Sequence, residues 1–333
     1  HTDLASATGA ARAQARPILH LRMLGRLDED LSCANSRLFR ATLYANHDVS
    51  GFLREHFVLY WSSERPVPRV TIDYGDGRKL ERTTTGNSAH YVLDEQGRVL
   101  DVLPGLYAPA AFRRELEGSL TLAAQVRGTS DEVRARLVAG YHQRRVAAAR
   151  SDWDRLAARL RITVQPQPRV QGDLAVAQIN TMVKSMIELR DLRQFAKGLA
   201  PEAVPQDQVE VWSAVGRGLY SPGEAGVLDA ASRGLIGGLH NAVPPELRAN
   251  GGQREAMIAR LEQLILADSA LNQLRLRPQI GREIVRRHGR LDFVTLNAWV
   301  YAQVFRTPQQ DAWLGLLPRD TFTGLPGDGV VMR

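Results

Sequence analysis

The chain has one cysteine, Cys33, in 333 residues, so an internal disulfide framework is excluded. Lysine is nearly as scarce: Lys79, Lys184 and Lys197 stand alone, and the formal net charge of +7 is carried by arginine. Those arginines are interspersed with acids, as in Arg155, Arg159 and Arg161 beside Asp152 and Asp154. That mixture reads as solvated helix faces, not a basic stripe, and no nucleic-acid partner is expected. No run approaches the roughly 18 apolar residues of a membrane span. The eight histidines form no H-x-x-x-H pair and join no carboxylate cluster, so no metal site is expected. His1 could chelate copper through its amine and ring if it were a mature terminus, but lacks an obvious second ligand. No phosphate-loop signature is present, because Gly75-Asp76-Gly77 lacks the following Lys-Ser/Thr and helix. No cofactor is expected.

What is present falls into two halves. Ala5 to Ala15 is small and weakly hydrophobic, and residues 1–15 read as a flexible lead-in. Together with a first residue other than Met, this suits a removed secretory signal and a periplasmic or secreted setting over a cytoplasmic one. Pro17 to Leu24 alternates as a strand, and a short helix from Ala34 to Leu43 follows Cys33. A second helix covers Asp48 to Glu55, and Phe57 to Trp61 is a dense β-type run. Val70–Tyr74 and Lys79–Thr83 flank the Gly-Asp-Gly turn as a hairpin. His90–Asp94 and Arg98–Leu103 form another, ended by Pro104-Gly105, and Ala108 to Leu116 starts a helix. After Gly118 the pattern is helical: a long helix over 131–160 with a mild interruption at Gly140, a proline-bearing connector near 162–170, then helices near 173–199, 206–218, 222–237, 253–274 and 293–305. The tail from Thr307 keeps Trp313, Leu314, Leu316 and Leu317, and its aromatic residues are expected to pack back onto the helices.

The N-terminal third resembles the thioredoxin superfamily. The resemblance rests on Cys33-Ala34-Asn35-Ser36, on Tyr44 to Val49 with Leu53 to Val58, and on the later pattern of Gly86 to Ala89, Tyr91 to Leu93, Asp94 to Gly97 and Pro104-Gly105. It covers about 16–117 and implies a thioredoxin-like domain with a central mixed sheet there; the helical pattern adds a long helix and connector over 118–170 and a C-terminal helical domain over 171–333, making the chain α/β plus all-α. Ser36 replaces the family's second cysteine, Ser88 replaces its cis-proline, and a hairpin near 60–86 replaces a helix found in many members.

The site implied is Cys33 with Ser36, supported by Asn35, Arg37, Arg40 and Ser88. A helix N-terminus and nearby arginines favour a thiolate, and Asn35 and Ser36 could hydrogen-bond to the sulfur. A mixed disulfide formed there cannot be expelled by Ser36, so an external thiol, small or protein-borne, must resolve it. Monothiol exchange or thiol capture is one function this allows. The other is a non-catalytic thioredoxin-like scaffold in which Cys33 is a packed remnant.

Overall fold

The computed structural model describes residues 1–83, 86–162, 209–220 and 226–305. The expected elements between 163 and 199 and the tail from 307 to 333 lie outside the described residues.

A four-stranded mixed sheet organises the first half, in the order β2-β1-β5-β6, with β1 Ile18–Leu24, β2 Val58–Arg65, β5 Ser88–Leu93 and β6 Val99–Pro104. β1 runs parallel to β2, while β5 is antiparallel to both β1 and β6. Every residue of β5 and β6 is buried, because helices cover both sheet faces. Alternation along β1 sends Leu19, Leu21 and Met23 to one face and Ile18, His20 and Arg22 to the other. Between β2 and β5 stands the separate hairpin of β3 Arg69–Asp73 and β4 Lys79–Thr83. Its turn places Gly75 and Gly77 at φ +75° and +93°, which side-chain-bearing residues avoid.

Residues 4–14, expected to be a flexible lead-in, form helix α1 (Leu4–Gln14) instead. Asp3 caps it by accepting from the Ser6 N–H, and Ala7 and Ala11 are fully buried. The run that looked featureless is alanine-rich, and alanine combines the best helix propensity with a side chain small enough for close packing.

Two further short helices precede β2: α2 (Ala34–Leu38), which runs into a π-helical turn over Phe39–Leu43, and α3 (His47–His56). After β6 come α4 (Pro109–Val126), continuous through Gly118, and α5 (Asp131–Arg159), continuous through Gly140. α6 (Val209–Tyr220), α7 (Ala230–His240) and α8 (Gly251–Leu271) follow. α6 and α8 pack so closely that a Cβ on Gly216 would lie 2.3 Å from the Leu266 carbonyl oxygen. α9 (Arg277–Arg286) was not among the expected elements; Pro278 sits in its first turn, where proline is tolerated. α10 (Phe293–Trp299) ends in a π-helical turn over Val300–Val304.

β6 is a sheet edge, yet its outward carbonyls are not left open. The His142 ring nitrogen Nε2 lies 2.9 Å from the Leu100 oxygen, and Arg134 donates to the Val99 oxygen at 2.7 Å. Both side chains come from α5, so the long helix closes the edge that another strand would otherwise seek. His142 is thus buried in the interior.

The expectation that arginines line solvated faces also fails at Arg277, which is 4 % exposed. Its guanidinium pairs with Asp101 of β6 and, at 2.5 Å, with Glu115 of α4. Asp101 also accepts from Ser119 (2.6 Å) and Tyr141 (2.9 Å), and Arg145 pairs with Glu115. Burial alone would raise the Asp101 carboxyl; Arg277, helped by His142 and Ser119, brings it down to about 2. Removing one partner of such a buried set leaves charge without balance, at about 3–5 kcal/mol. Arg277→Met should lower the unfolding free energy by that amount in urea titrations. Arg150→Ala, which breaks an exposed pair with Asp154, should change it by less than about 0.5 kcal/mol.

Candidate functional site

Cys33 is the N-cap residue of α2, where β1 has ended and the chain turns back. Its N–H donates to the Leu24 oxygen at 3.2 Å, fixing it to the C-terminal end of β1. Ser88 attaches one residue earlier, opposite Met23 in the β1–β5 ladder. The structure therefore brings the Cys33 and Ser88 backbones to the same strand end.

The chemistry around them differs from the expected activation. Cys33 is fully buried and belongs to the hydrophobic core. Ser36 Oγ donates to the Cys33 carbonyl oxygen at 2.8 Å and lies 2.8 Å from Ser32 Oγ, so it is spent on the backbone turn. Arg37 donates to the Ser32 oxygen (3.1 Å) and Thr83 Oγ1 (2.9 Å), and Arg40 to the Leu27 oxygen (2.9 Å). Both guanidiniums brace the β1–α2 loop. Asn35 Nδ2 and Ser88 Oγ are buried without hydrogen-bond partners. Asn35 Nδ2 and Ser36 Oγ, expected to hydrogen-bond to the sulfur, do not: the first has no partner and the second is spent on the turn.

Distant segments close over this region. α7 packs on the π turn at Phe39–Leu43, and its cap Asp229 accepts from the His47 N–H at 3.0 Å. Tyr301, 1 % exposed, donates to the Asn87 oxygen at 3.4 Å. Burial pushes the Tyr301 hydroxyl pKa well up, with Tyr91, Glu64 and Cys33 adding to the effect.

Two polar groups that sequence reasoning passed over lie on opposite faces of the sheet. On one, Glu64 accepts from Arg22 Nε (2.7 Å) and Asn297 Nδ2 (2.8 Å), while Tyr91 donates to Asn297 Oδ1 (3.1 Å) and His20 Nε2 meets Ser62 Oγ (2.7 Å). On the other, His90 Nε2 lies 2.7 Å from the Tyr44 hydroxyl. His90 had been noted only as the start of a strand, and no local pattern links it to Tyr44, 46 residues away. Among the described residues no group of three or more His, Cys, Asp or Glu is placed to hold a metal ion. Among the same residues no helix is long and apolar enough to cross a membrane.

No protein-family model, curated protein or solved structure matches this chain.

Burial holds the His90 pKa at about 3, and burial together with Arg22 and His90 holds His20 at about 3. Both values lie below the ordinary histidine range near 6.5. An unfolded chain takes up these protons as pH falls below about 6.5, while the folded rings stay neutral until about pH 3. The histidine contribution to stability is thus full above about pH 6.5 and is lost progressively through that window. Unfolding free energy should fall between pH 6.5 and 4.5, with a slope approaching 1.4 kcal/mol per pH unit for each ring. His90→Phe should remove one ring's share of that slope in urea titrations at stepped pH, with buried His142, also held low, contributing to the remainder. A flat profile in the parent protein would contradict the neutral-histidine assignment.

Proposed function

We propose that the chain is a non-catalytic scaffold built on a thioredoxin-like unit over 16–117, with Cys33 serving as a core packing residue. The fold part of this reading is supported by strand order β2-β1-β5-β6, by the parallel β1–β2 pair with antiparallel β5 and β6, and by helices following β1 and β6. Its departure is the β3–β4 hairpin between β2 and β5.

The observation that carries the functional part is the complete burial of Cys33 while Ser36, Arg37 and Arg40 are engaged with the loop backbone. A thiol that exchanges with a disulfide must present its sulfur in line to an incoming S–S bond. Here the sulfur is sealed by residues of the core, and the hydroxyl and guanidiniums expected to assist it are held elsewhere.

Thiol labelling tests the reading directly. In folded protein at pH 8, Cys33 should resist iodoacetamide and form no adduct with oxidised glutathione, and it should label fully in urea. Cys33→Ala should keep the fold at a cost of about 1 kcal/mol, the transfer energy of a small buried group. Rapid adduct formation in the folded state would overturn the scaffold reading in favour of monothiol exchange, with the adduct resolved by an external thiol.

A further inference from the structure

The β3–β4 hairpin is anchored at its base, where Arg37 donates to Thr83 Oγ1 and the Arg69 guanidinium lies 3.7 Å from Glu29. Beyond that base, no other element among the described residues packs extensively on either strand. All of β3 is exposed, and no described strand pairs with its outer edge. A two-stranded ribbon by itself is marginal in water and gains from further strands.

The hairpin register fixes which backbone groups line that edge. The Tyr74 N–H donates to the Arg78 oxygen, so Tyr74 directs its backbone towards β4. Direction alternates along an antiparallel strand. Val70 and Ile72 therefore also face β4, whereas Arg69, Thr71 and Asp73 direct their N–H and carbonyl groups outwards. Side chains alternate in the same way between the two faces. Val70 and Ile72, 44 % and 43 % exposed, share one face with Tyr74.

Arg69-Val70-Thr71-Ile72-Asp73 is its own antiparallel complement. A twofold axis at Thr71 sets Arg69 opposite Asp73 of a second copy, Val70 opposite Ile72, and Thr71 opposite Thr71. Opposite charges and β-branched pairs in such positions are favourable. Because Thr71 is an outward residue, the same axis also aligns the donors and acceptors of Arg69, Thr71 and Asp73 with those of the second copy. Asp73 then lies between Lys79 of its own hairpin, at 3.0 Å, and Arg69 of the other. Both present partners of the edge charges, Glu29 and Lys79, form exposed pairs that hold them weakly. The outer edge of β4 lacks this property: a twofold axis at Glu81 would set two like charges opposite each other, which is unfavourable.

We propose that this chain self-associates through β3, two hairpins pairing antiparallel about Thr71 to make one four-stranded sheet. The contact is isologous, each copy presenting the same strand to the other. It goes beyond the scaffold reading and uses no property of Cys33, so thiol labelling and association succeed or fail independently.

Sedimentation velocity of the full chain over a concentration series tests it. A contact between two short strands is small, so the chain should be monomeric at nanomolar and dimeric at high micromolar concentration. Thr71→Pro removes an N–H that points away from β4 and leaves the bonds within the hairpin in place. It should weaken association by about tenfold or more, while Glu81→Pro, the matching change on the outer edge of β4, should leave it unchanged. If Thr71→Pro disturbs the hairpin, charge exchange carries the same test. Arg69→Asp alone and Asp73→Arg alone each set like charges opposite one another, and each should associate about tenfold less or weaker still. An equimolar mixture of the two should recover the dimer, because each copy then meets the opposite sign at both ends of the strand. A monomer at every concentration would leave the edge to a strand of another protein and overturn the proposal. So would a dimer that survives Thr71→Pro, an equal loss in Glu81→Pro, or no recovery in the mixture.

Discussion

The Arg277 guanidinium, buried between Asp101 and Glu115, is the constraint on which the joining of the two halves depends. Its partners sit on β6 and α4, and the supporting Tyr141 and Arg145 sit on α5. One side chain of α9 therefore fixes a strand and two helices at once. Pairing two ions in the interior recovers little more than the desolvation it costs, so the network is weak as a source of net stability. Its effect is geometric. If α9 slid by one residue along the sheet, the guanidinium would turn away and leave two carboxylates buried and uncompensated. Apolar contacts alone would tolerate such a slip far better.

That fixed relation governs what happens at the far end of the sheet. Once α9 is held, the chain that follows delivers Phe293 against His20 and Tyr91, Asn297 to Glu64 and Tyr91, and Tyr301 to Asn87. α7, arriving through Asp229, covers the turn after α2. The C-terminal end of β1, where a thiol at a helix N-terminus would meet solvent in an isolated α/β unit, is closed by residues two hundred positions away. Burial of Cys33 is thus a consequence of the helical half, not of the Cys33-Ala34-Asn35-Ser36 segment itself.

This separation explains what the sequence could and could not disclose. Apolar runs such as Ile18–Leu24 and Tyr91–Leu93 and the Gly75-Asp76-Gly77 turn carry their conformation locally, and each appears as expected. Leu4–Gln14 misleads because alanine-rich packing resembles low-complexity linker. Gly118 sits within α4, where a Cβ would lie 3.3 Å from the Tyr141 hydroxyl, so a small residue suits the close approach of α5. Arg277 is indistinguishable in sequence from the neighbouring Arg275 and Arg282; only the carboxylates at 101 and 115 make it different. The Tyr44–His90 pair is equally silent, since its members meet only after β5 is inserted beside β1. Cys33 and Ser88 meet at a strand end, but their surroundings are set by partners that no spacing rule could supply.

Among the described residues, two groups of unpartnered buried polar atoms can be told apart. One group, Tyr107, Tyr220, Arg145 Nε and Arg277 Nε, surrounds the ion network, where five or more polar side chains compete for a few acceptors. Another comprises Asn35 Nδ2, Ser88 Oγ and His90 Nδ1, on elements that meet near the C-terminal end of β1. Orphans of the first kind follow from crowding around fixed charge. Those of the second kind have no such cause: the surroundings are largely apolar, and leucine or alanine would fill the same space without a desolvation cost.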